Sequence, residues 1–314
     1  MATSSLTDSD IEHPLLEFDD DLELRLNQVG KIFDIQRITN EPQSMLQVAK
    51  YYKNVNLFYR VHSWEGFFHF GMSYDGKHKR DDFNEQARIV ERYIREIDAK
   101  NVLELAYGKG PNMAFLARRN PHITFDGIDL MLKPKKSYAK IPNTHFLLGD
   151  FHDLSALEDN TYDVAFVVEA LCYSTNKLQV LREVKKKLKR DGLFIIIDGY
   201  RNNRAAPLSP AESLMWKLIE IAWSLDKFEC VTDVESYMRE EYSIVLAKDI
   251  TQHVLPSANT ARSKSRPYFA HPAFARAVNK LIYPVKGIIA PHLVTTSLRR
   301  QVGCYYIHVL KNDR

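Results

Sequence analysis

Cysteine is scarce in this 314-residue sequence, and Cys172, Cys230 and Cys304 stand too far apart to form a C-x-x-C pair. That scatter argues against a disulfide framework or a zinc site and makes a reducing compartment the default. Also missing are a basic-then-apolar leader and any apolar run long enough to cross a bilayer. A soluble, cytoplasmic protein is therefore expected, with contact at a membrane surface left open. No internal repeat or low-complexity block is visible. The formal charge of +3 is too small to imply a nucleic-acid partner. Its distribution says more: the first thirty residues hold Asp8, Asp10, Glu12, Glu17, Asp19, Asp20, Asp21 and Glu23, whereas Arg262 to Arg300 is basic and nearly free of acids. With 45% hydrophobic residues, the chain can build one large α/β domain with additions, or two small ones.

What is present is organised around Asn101 to Asn112, N-V-L-E-L-A-Y-G-K-G-P-N. Val102, Leu103 and Leu105 read as a strand carrying Glu104, which turns through Gly108 and Gly110 into a helix over Met113 to Arg119. Glycines there let backbone approach a ligand, which then meets the open N–H groups of the first helical turn. A second apolar segment, Ile123 to Ile128, ends in Asp129, placed to hydrogen-bond a ribose diol. The pattern continues with strands at His145–Leu148, Tyr162–Val168 and Leu193–Ile197, which run into Asp150, Glu169 and Asp198. Between the last two lies an amphipathic helix, Lys177 to Leu188, stopped by Arg190-Asp191-Gly192. Strands alternating with helices at this spacing imply a parallel sheet with right-handed crossovers.

The flanks are less regular. Helices are expected over Leu15 to Arg37, Ser44 to Asn54, Asp81 to Ile97, Pro210 to Ser224 and Val231 to Glu241. An aromatic cluster precedes the core: Tyr51, Tyr52, Phe58, Tyr59, Trp64, Phe67, Phe68 and Phe70. It suits either packed core or the wall of an apolar pocket with a few polar groups, here Glu65 and His69. Gln252 to Pro272 reads as a polar connection, and Phe274 to Arg300 as an apolar, basic segment broken by Pro284 and Pro291. Tyr242–Ile250 and Tyr305–Leu310 would pair as an antiparallel edge, with the long segment between them as a lid. The resulting division is a cap over 1–80, a core over 81–250, a lid insertion over 251–303 and a final strand over 304–314.

The order of these motifs, from Phe58 to Tyr200, resembles a class I S-adenosylmethionine-dependent methyltransferase. Within that class it is similar to the sterol and tocopherol C-methyltransferases, through W-x-x-x-F-H-F at Trp64 to Phe70 and E-A-L-C-Y-S at Glu169 to Ser174. The resemblance implies a doubly wound, mostly parallel seven-stranded sheet, a transferase activity, and S-adenosylmethionine as cofactor. It places Glu104, Ala106, Tyr107, Gly108 and Gly110 on the methionine-binding loop, and Asp129 and Leu130 at the ribose and adenine. Asp150 and Phe151 fall on the adenine pair, and Glu169 and Ala170 between cofactor and acceptor. Ala106 stands where the pattern has its first glycine, and Tyr107 where it has a small residue. Both departures bear on cofactor affinity and keep a catalytically silent homologue in view.

A sulfonium already activates its methyl group, so the protein's work is to align a nucleophile and exclude water. Oxygen or nitrogen acceptors need a general base. A carbon–carbon double bond instead forms a carbocation, which aromatic faces or a carboxylate can stabilise. Tyr52, Tyr59, Trp64, Phe68 and Tyr173, with Glu169, His69 and Glu65, supply the second set. Tyr200 suits either the acceptor site or packing. The expected catalytic residues are Glu169, His69 and Tyr59, and no metal site is read from the residues. The expected substrate is a lipophilic small molecule (isoprenoid, sterol or other lipid), with an oxygen or nitrogen acceptor of a small natural product as the alternative. The basic segment suggests anionic lipid, or a diphosphate with magnesium, as its ligand. Self-association into a homo-oligomer stays open.

Overall fold

The computed structural model describes residues 22–40, 66–130, 133–281 and 286–313. Of the expected elements, the helix over Ser44 to Asn54 lies outside these residues, as do Tyr51, Tyr52, Phe58, Tyr59, Trp64 and Glu65. The elements are α1 (Leu22–Gly30), α2 (Ile35–Asn40), α3 (Glu85–Glu96), β1 (Asn101–Leu105), α4 (Pro111–Arg119), β2 (Thr124–Asp129), β3 (Thr144–Leu148) and β4 (Tyr162–Val168). They continue with α5 (Lys177–Lys187), β5 (Leu188–Arg201), α6 (Pro210–Trp223), α7 (Val231–Glu241), β6 (Ser243–Asp249), α8 (Thr251–Ala270), α9 (Pro272–Leu281), α10 (Ile289–Arg299) and β7 (Gly303–Lys311).

The strands form one seven-stranded sheet in the order β3-β2-β1-β4-β5-β7-β6. β1 to β5 pair in parallel, and β7 runs antiparallel between β5 and β6, so the expected antiparallel edge is present. Strands of the Y-D-V-A-F-V-V kind become central because apolar side chains point to both faces and both faces are covered. Phe125, Phe166 and Ile195 are fully buried on one face, with α3, α4 and α8, while Leu105, Ala165 and Ile196 are buried on the other, with α5 and α7. Each such large side chain contributes about 1.5–3 kcal/mol relative to exposure. β6 alternates half-buried and exposed residues, as an edge with one solvated face does. A third cluster joins α1, α6 and α10 through Leu26, Trp216, Ile219 and Leu293. α6 starts from a capping box: Ser209 Oγ accepts the Glu212 N–H while the Glu212 carboxylate accepts the Ser209 N–H, with Pro210 in the first turn.

Several boundaries differ from the sequence expectation. The first helix breaks between α1 and α2, where Phe33 turns inward to Tyr268. Residues 252–270 are helical, not a connection, although Pro256 and Pro267 lie inside α8. Each proline removes a helical hydrogen bond. Burial of Val254, Ala258 and Phe269 offsets that loss, and Ser257 Oγ accepts the Gly71 N–H at 3.0 Å. β5 begins at Leu188, so Asp191-Gly192 does not end a helix; it is an irregularity inside the strand, with Asp191 at φ 63°. Its backbone is held by the end of β7, the Asp191 N–H donating to Asn312 O at 2.8 Å. The segment expected to be a lid packs along the sheet, with α8 against α10 and β7.

Candidate active site

β1 and β4 are adjacent, but the chain leaves β1 toward β2 on one side and β4 toward β5 on the other. Helices cannot fill the space at the carboxyl ends of such a pair, and a crevice opens there. Its volume is about 650 Å³, within the range of small-molecule and cofactor sites. Both strands end in a non-glycine residue held in the left-handed region, Ala106 at φ 54° and Glu169 at φ 49°. Strain of this kind persists only where the surroundings over-determine it, and it gathers at functional sites.

The β1 side is polar. The Ala106 N–H donates to Ile128 O at 2.7 Å, which fastens the loop to β2. Asp129 Oδ2 accepts the Gly108 N–H at 2.9 Å, so the ribose-side acid also shapes the glycine turn. Gly110, at φ 79°, is the residue before α4, and a Cβ there would come within 2.8 Å of the Phe146 ring. Glu104 is buried, and burial, with the Asp129 carboxylate nearby, pushes its pKa up to about 8. Asn112 Nδ2 donates to Glu104 Oε1 at 3.3 Å, while Oε2 has no hydrogen-bond partner. A buried orphaned acceptor on the crevice wall fits a ligand that brings its own cationic donor, as the ammonium of an amino acid does.

Tyr107 does not fill the crevice. Its ring packs over Gly127, whose added Cβ would lie 2.9 Å from Tyr107 Cδ1, and stands edge-on to Phe146 with centroids 5.0 Å apart. Burial and the neighbouring Asp129 and Glu104 carboxylates push its hydroxyl up to about 12, so it stays protonated.

The acceptor side is built by β4 and the segment before the core. Glu169 Oε1 accepts the Phe70 N–H at 2.5 Å, and the Tyr305 hydroxyl also donates to this carboxyl group. Burial raises its pKa well above the ordinary carboxylate value. Phe68, His69 and Tyr173 line the same space. Behind them Asp198 is buried, accepting the Cys172 N–H at 3.0 Å and the Gly199 N–H at 2.8 Å, and burial pushes it to about 6.

The structure therefore brings together Glu104, Ala106, Tyr107, Gly108, Asp129, Leu130, Asp150, Phe151, Glu169, Ala170 and His69 around one space. Gly110 shapes the turn from behind. Tyr59 lies outside the described residues. Tyr200 is buried and hydrogen-bonds His308 at 3.4 Å; it is not among the lining residues, which favours packing. No residue of 251–303 lines the crevice among the described residues.

Several lining residues escaped the sequence reading, among them Asn112, His152, Thr175, Asn176 and Gln179. Asn112 follows Gly110-Pro111, and its place in the first turn of α4 was the available signal. His152 links the two rims of the crevice. Its Nδ1 lies 2.7 Å from Asp150 Oδ1, and its Nε2 lies 2.7 Å from Ser174 Oγ. Only the fold places residues 152 and 174 side by side.

Residues 103–196 match the family model described as methyltransferase domain. Those residues, running from β1 into β5, are thus similar to a methyltransferase domain. Over 112 residues the chain is 32% identical to the demethylmenaquinone methyltransferase of Thermotoga maritima, covering 35% of this chain and 48% of that one. Over 216 residues it is 24% identical to the sterol 24-C-methyltransferase of Saccharomyces cerevisiae, covering 65% of this chain and 54% of that one. The chain thus spans about half the length of the curated relatives it matches. A solved geranyl diphosphate C-methyltransferase from Streptomyces coelicolor A3(2), in complex with Mg2+, geranyl diphosphate and S-adenosyl-L-homocysteine, superposes with a TM-score of 0.61. It covers 87% of this chain and 99% of its own at 14% identity, a likeness that shows the fold alone. The residues that line the crevice suit S-adenosylmethionine. Glu104 offers an unpartnered carboxylate oxygen, Asp129 a carboxylate at the second strand end, and Phe151 an apolar ring. Among the described residues, no helix is long and apolar enough to cross a membrane.

Proposed function

We propose that the protein transfers a methyl group from S-adenosylmethionine to a lipophilic small molecule, at carbon. The observation that carries this reading is the division of one crevice into an acidic wall at the ends of β1 and β2, Glu104 and Asp129, and an aromatic wall, Phe68 and Tyr173, with half-buried Glu169 between aromatic and cofactor sides. The named functions of the menaquinone and sterol relatives support a lipophilic acceptor. When bound, the cofactor supplies an electrophilic methyl on a sulfonium.

In this reading Glu104 Oε2 holds the ammonium, Asp129 the ribose diol, and Asp150 the adenine amine. Gly108 and Gly110 keep side chains away from the methionine end, and Leu130, Phe151 and Ala170 give apolar contact. The aromatic wall excludes water and faces positive charge as it develops on the acceptor. Glu169, whose hold on a proton is strengthened by desolvation, is the candidate base in its ionised form, and His69 is its polar neighbour on the same wall.

His69 also sustains a second reading. Burial disfavours its cationic form, and an imidazole beside the crevice is the base an oxygen or nitrogen acceptor would need. A silent scaffold is less well supported, since Tyr107 packs aside and the crevice stays open. Contact of the acid-poor 262–300 stretch with anionic lipid, and self-association, belong to the same proposal.

Calorimetry with S-adenosylmethionine and S-adenosylhomocysteine tests the foundation, and absence of binding by both would end the enzymatic readings. Incubation with methyl-labelled cofactor and a lipid extract then identifies the product. A label on oxygen or nitrogen would replace carbon transfer with the second reading.

A further inference from the structure

The contacts of His69 pose a problem of donors and acceptors. Its Nδ1 lies 2.9 Å from Phe70 O, and its Nε2 lies 3.3 Å from Asn112 Oδ1. Both partners are oxygens that only accept, so the ring as arranged must donate twice, as imidazolium. On the other side of the same amide, Asn112 Nδ2 donates to Glu104 Oε1, which is the partner an ionised carboxylate wants. This arrangement sets a cation and an anion at the two ends of one buried amide.

A second arrangement uses the same atoms. When the Asn112 amide turns over, its oxygen accepts from a protonated Glu104 and its NH2 donates to Nε2 of a neutral His69. The His69 Nδ1–H still donates to Phe70 O. Every donor again meets an acceptor. The two states hold the same number of protons: one leaves the Glu104 carboxyl and one arrives at His69 Nε2, by exchange with water in the crevice. What differs is where the charge stands and which way one amide points.

We infer that Asn112 is a positioning residue that couples the ionisation of Glu104, in the cofactor half of the crevice, to the protonation of His69 on the acceptor wall. In the ligand-free protein, burial favours the uncharged pair, since it raises Glu104 and lowers His69. The Asp129 carboxylate, which faces Glu104, favours its protonated form too, while the Met113 N–H works in the opposite direction. His69 is flanked by the rings of Phe67 and Phe83, at centroid distances of 5.2 and 6.1 Å. A cationic ligand group at Glu104 Oε2 reverses the preference: the carboxylate ionises, the amide turns, and His69 gains its second N–H. The acceptor wall then carries an imidazolium only while the donor site is loaded. This rests on the proposed cofactor, and its test separates the two.

The test is nitrogen NMR of the imidazole in protein labelled at histidine, titrated near neutral pH with S-adenosylhomocysteine, and with 5′-methylthioadenosine as a ligand lacking the amino-acid end. Assignment uses His69→Gln. S-adenosylhomocysteine is expected to move the His69 nitrogens from the neutral pattern to the imidazolium pattern, and methylthioadenosine to leave them unchanged. In Asn112→Leu, S-adenosylhomocysteine should bind without that change. The same titration by calorimetry in buffers of different ionisation enthalpy should then show about one proton released in the variant and almost none in the wild type. Binding of S-adenosylhomocysteine with unchanged His69 resonances in the wild type overturns the inference while sparing the cofactor assignment. No binding at all overturns both.

Discussion

Replacing Glu104 by glutamine sets stability and ligand binding in opposite directions. The carboxyl group is 2% exposed and its pKa is pushed up to about 8 in the folded protein, from 4.5. An acid whose folded pKa is raised contributes its full stability below the unfolded value. As pH rises from 4.5 toward about 8, the unfolded chain releases its proton and the folded chain does not, so stability is lost across that window. A tenfold difference in proton affinity corresponds to about 1.4 kcal/mol, which makes the loss about 3–5 kcal/mol by pH 8. Glutamine keeps the shape and still accepts from Asn112, but has no proton to lose. In urea unfolding of the ligand-free protein, Glu104→Gln should match the wild type near pH 4.5 and exceed it by about 3–5 kcal/mol at pH 8. The same variant should bind S-adenosylhomocysteine at least about tenfold more weakly, because a charge-assisted bond to the ammonium is gone. A wild-type-minus-variant difference that stays flat between pH 5 and 8 would refute the burial argument.

At Gly110, an alanine would meet both the positive φ of 79° and the Phe146 ring at 2.8 Å. Gly110→Ala should lose about 2–4 kcal/mol in chemical unfolding, and Phe146→Leu should recover part of it in the double variant; additive losses would locate the strain in the backbone alone. Glu169→Gln keeps an acceptor for the Phe70 N–H, so S-adenosylhomocysteine affinity should stay within about threefold while methyl transfer falls at least about 100-fold. Unchanged transfer would remove Glu169 from the chemistry. His152→Ala cuts the link between Asp150 and Ser174 and should weaken S-adenosylhomocysteine binding by about 1–2 kcal/mol in calorimetry, with unchanged affinity marking that link as idle.

Much of the core could be read from local pattern. The runs at Val102, Phe125, Tyr162 and Phe194 alternate with helices at the spacing of a parallel sheet, and these strands do pair in parallel, in the spatial order β2-β1-β4-β5. The acids at the strand ends, Glu104, Asp129, Asp150 and Glu169, converge because parallel strands all point their carboxyl ends the same way. Reading failed where distant contacts outweigh local preference. Pro256 and Pro267 signalled a connection, yet Val254, Ala258 and Phe269 bury enough apolar surface to hold α8 together. Asp191-Gly192 looked like a helix stop, but pairing with Asn312 extends β5 back through it.

By itself the sequence determined the alternation of strands and helices, the glycine turn at residues 108–110, and the chemical type of each strand-end group, since all of these follow from neighbours a few positions apart. Only the tertiary structure decided that Tyr107 lies down on Gly127, that His152 spans Asp150 and Ser174, and that a single amide at Asn112 stands between Glu104 and His69. Those relations depend on which side chains burial brings face to face, and on how a low-dielectric interior redistributes their protons.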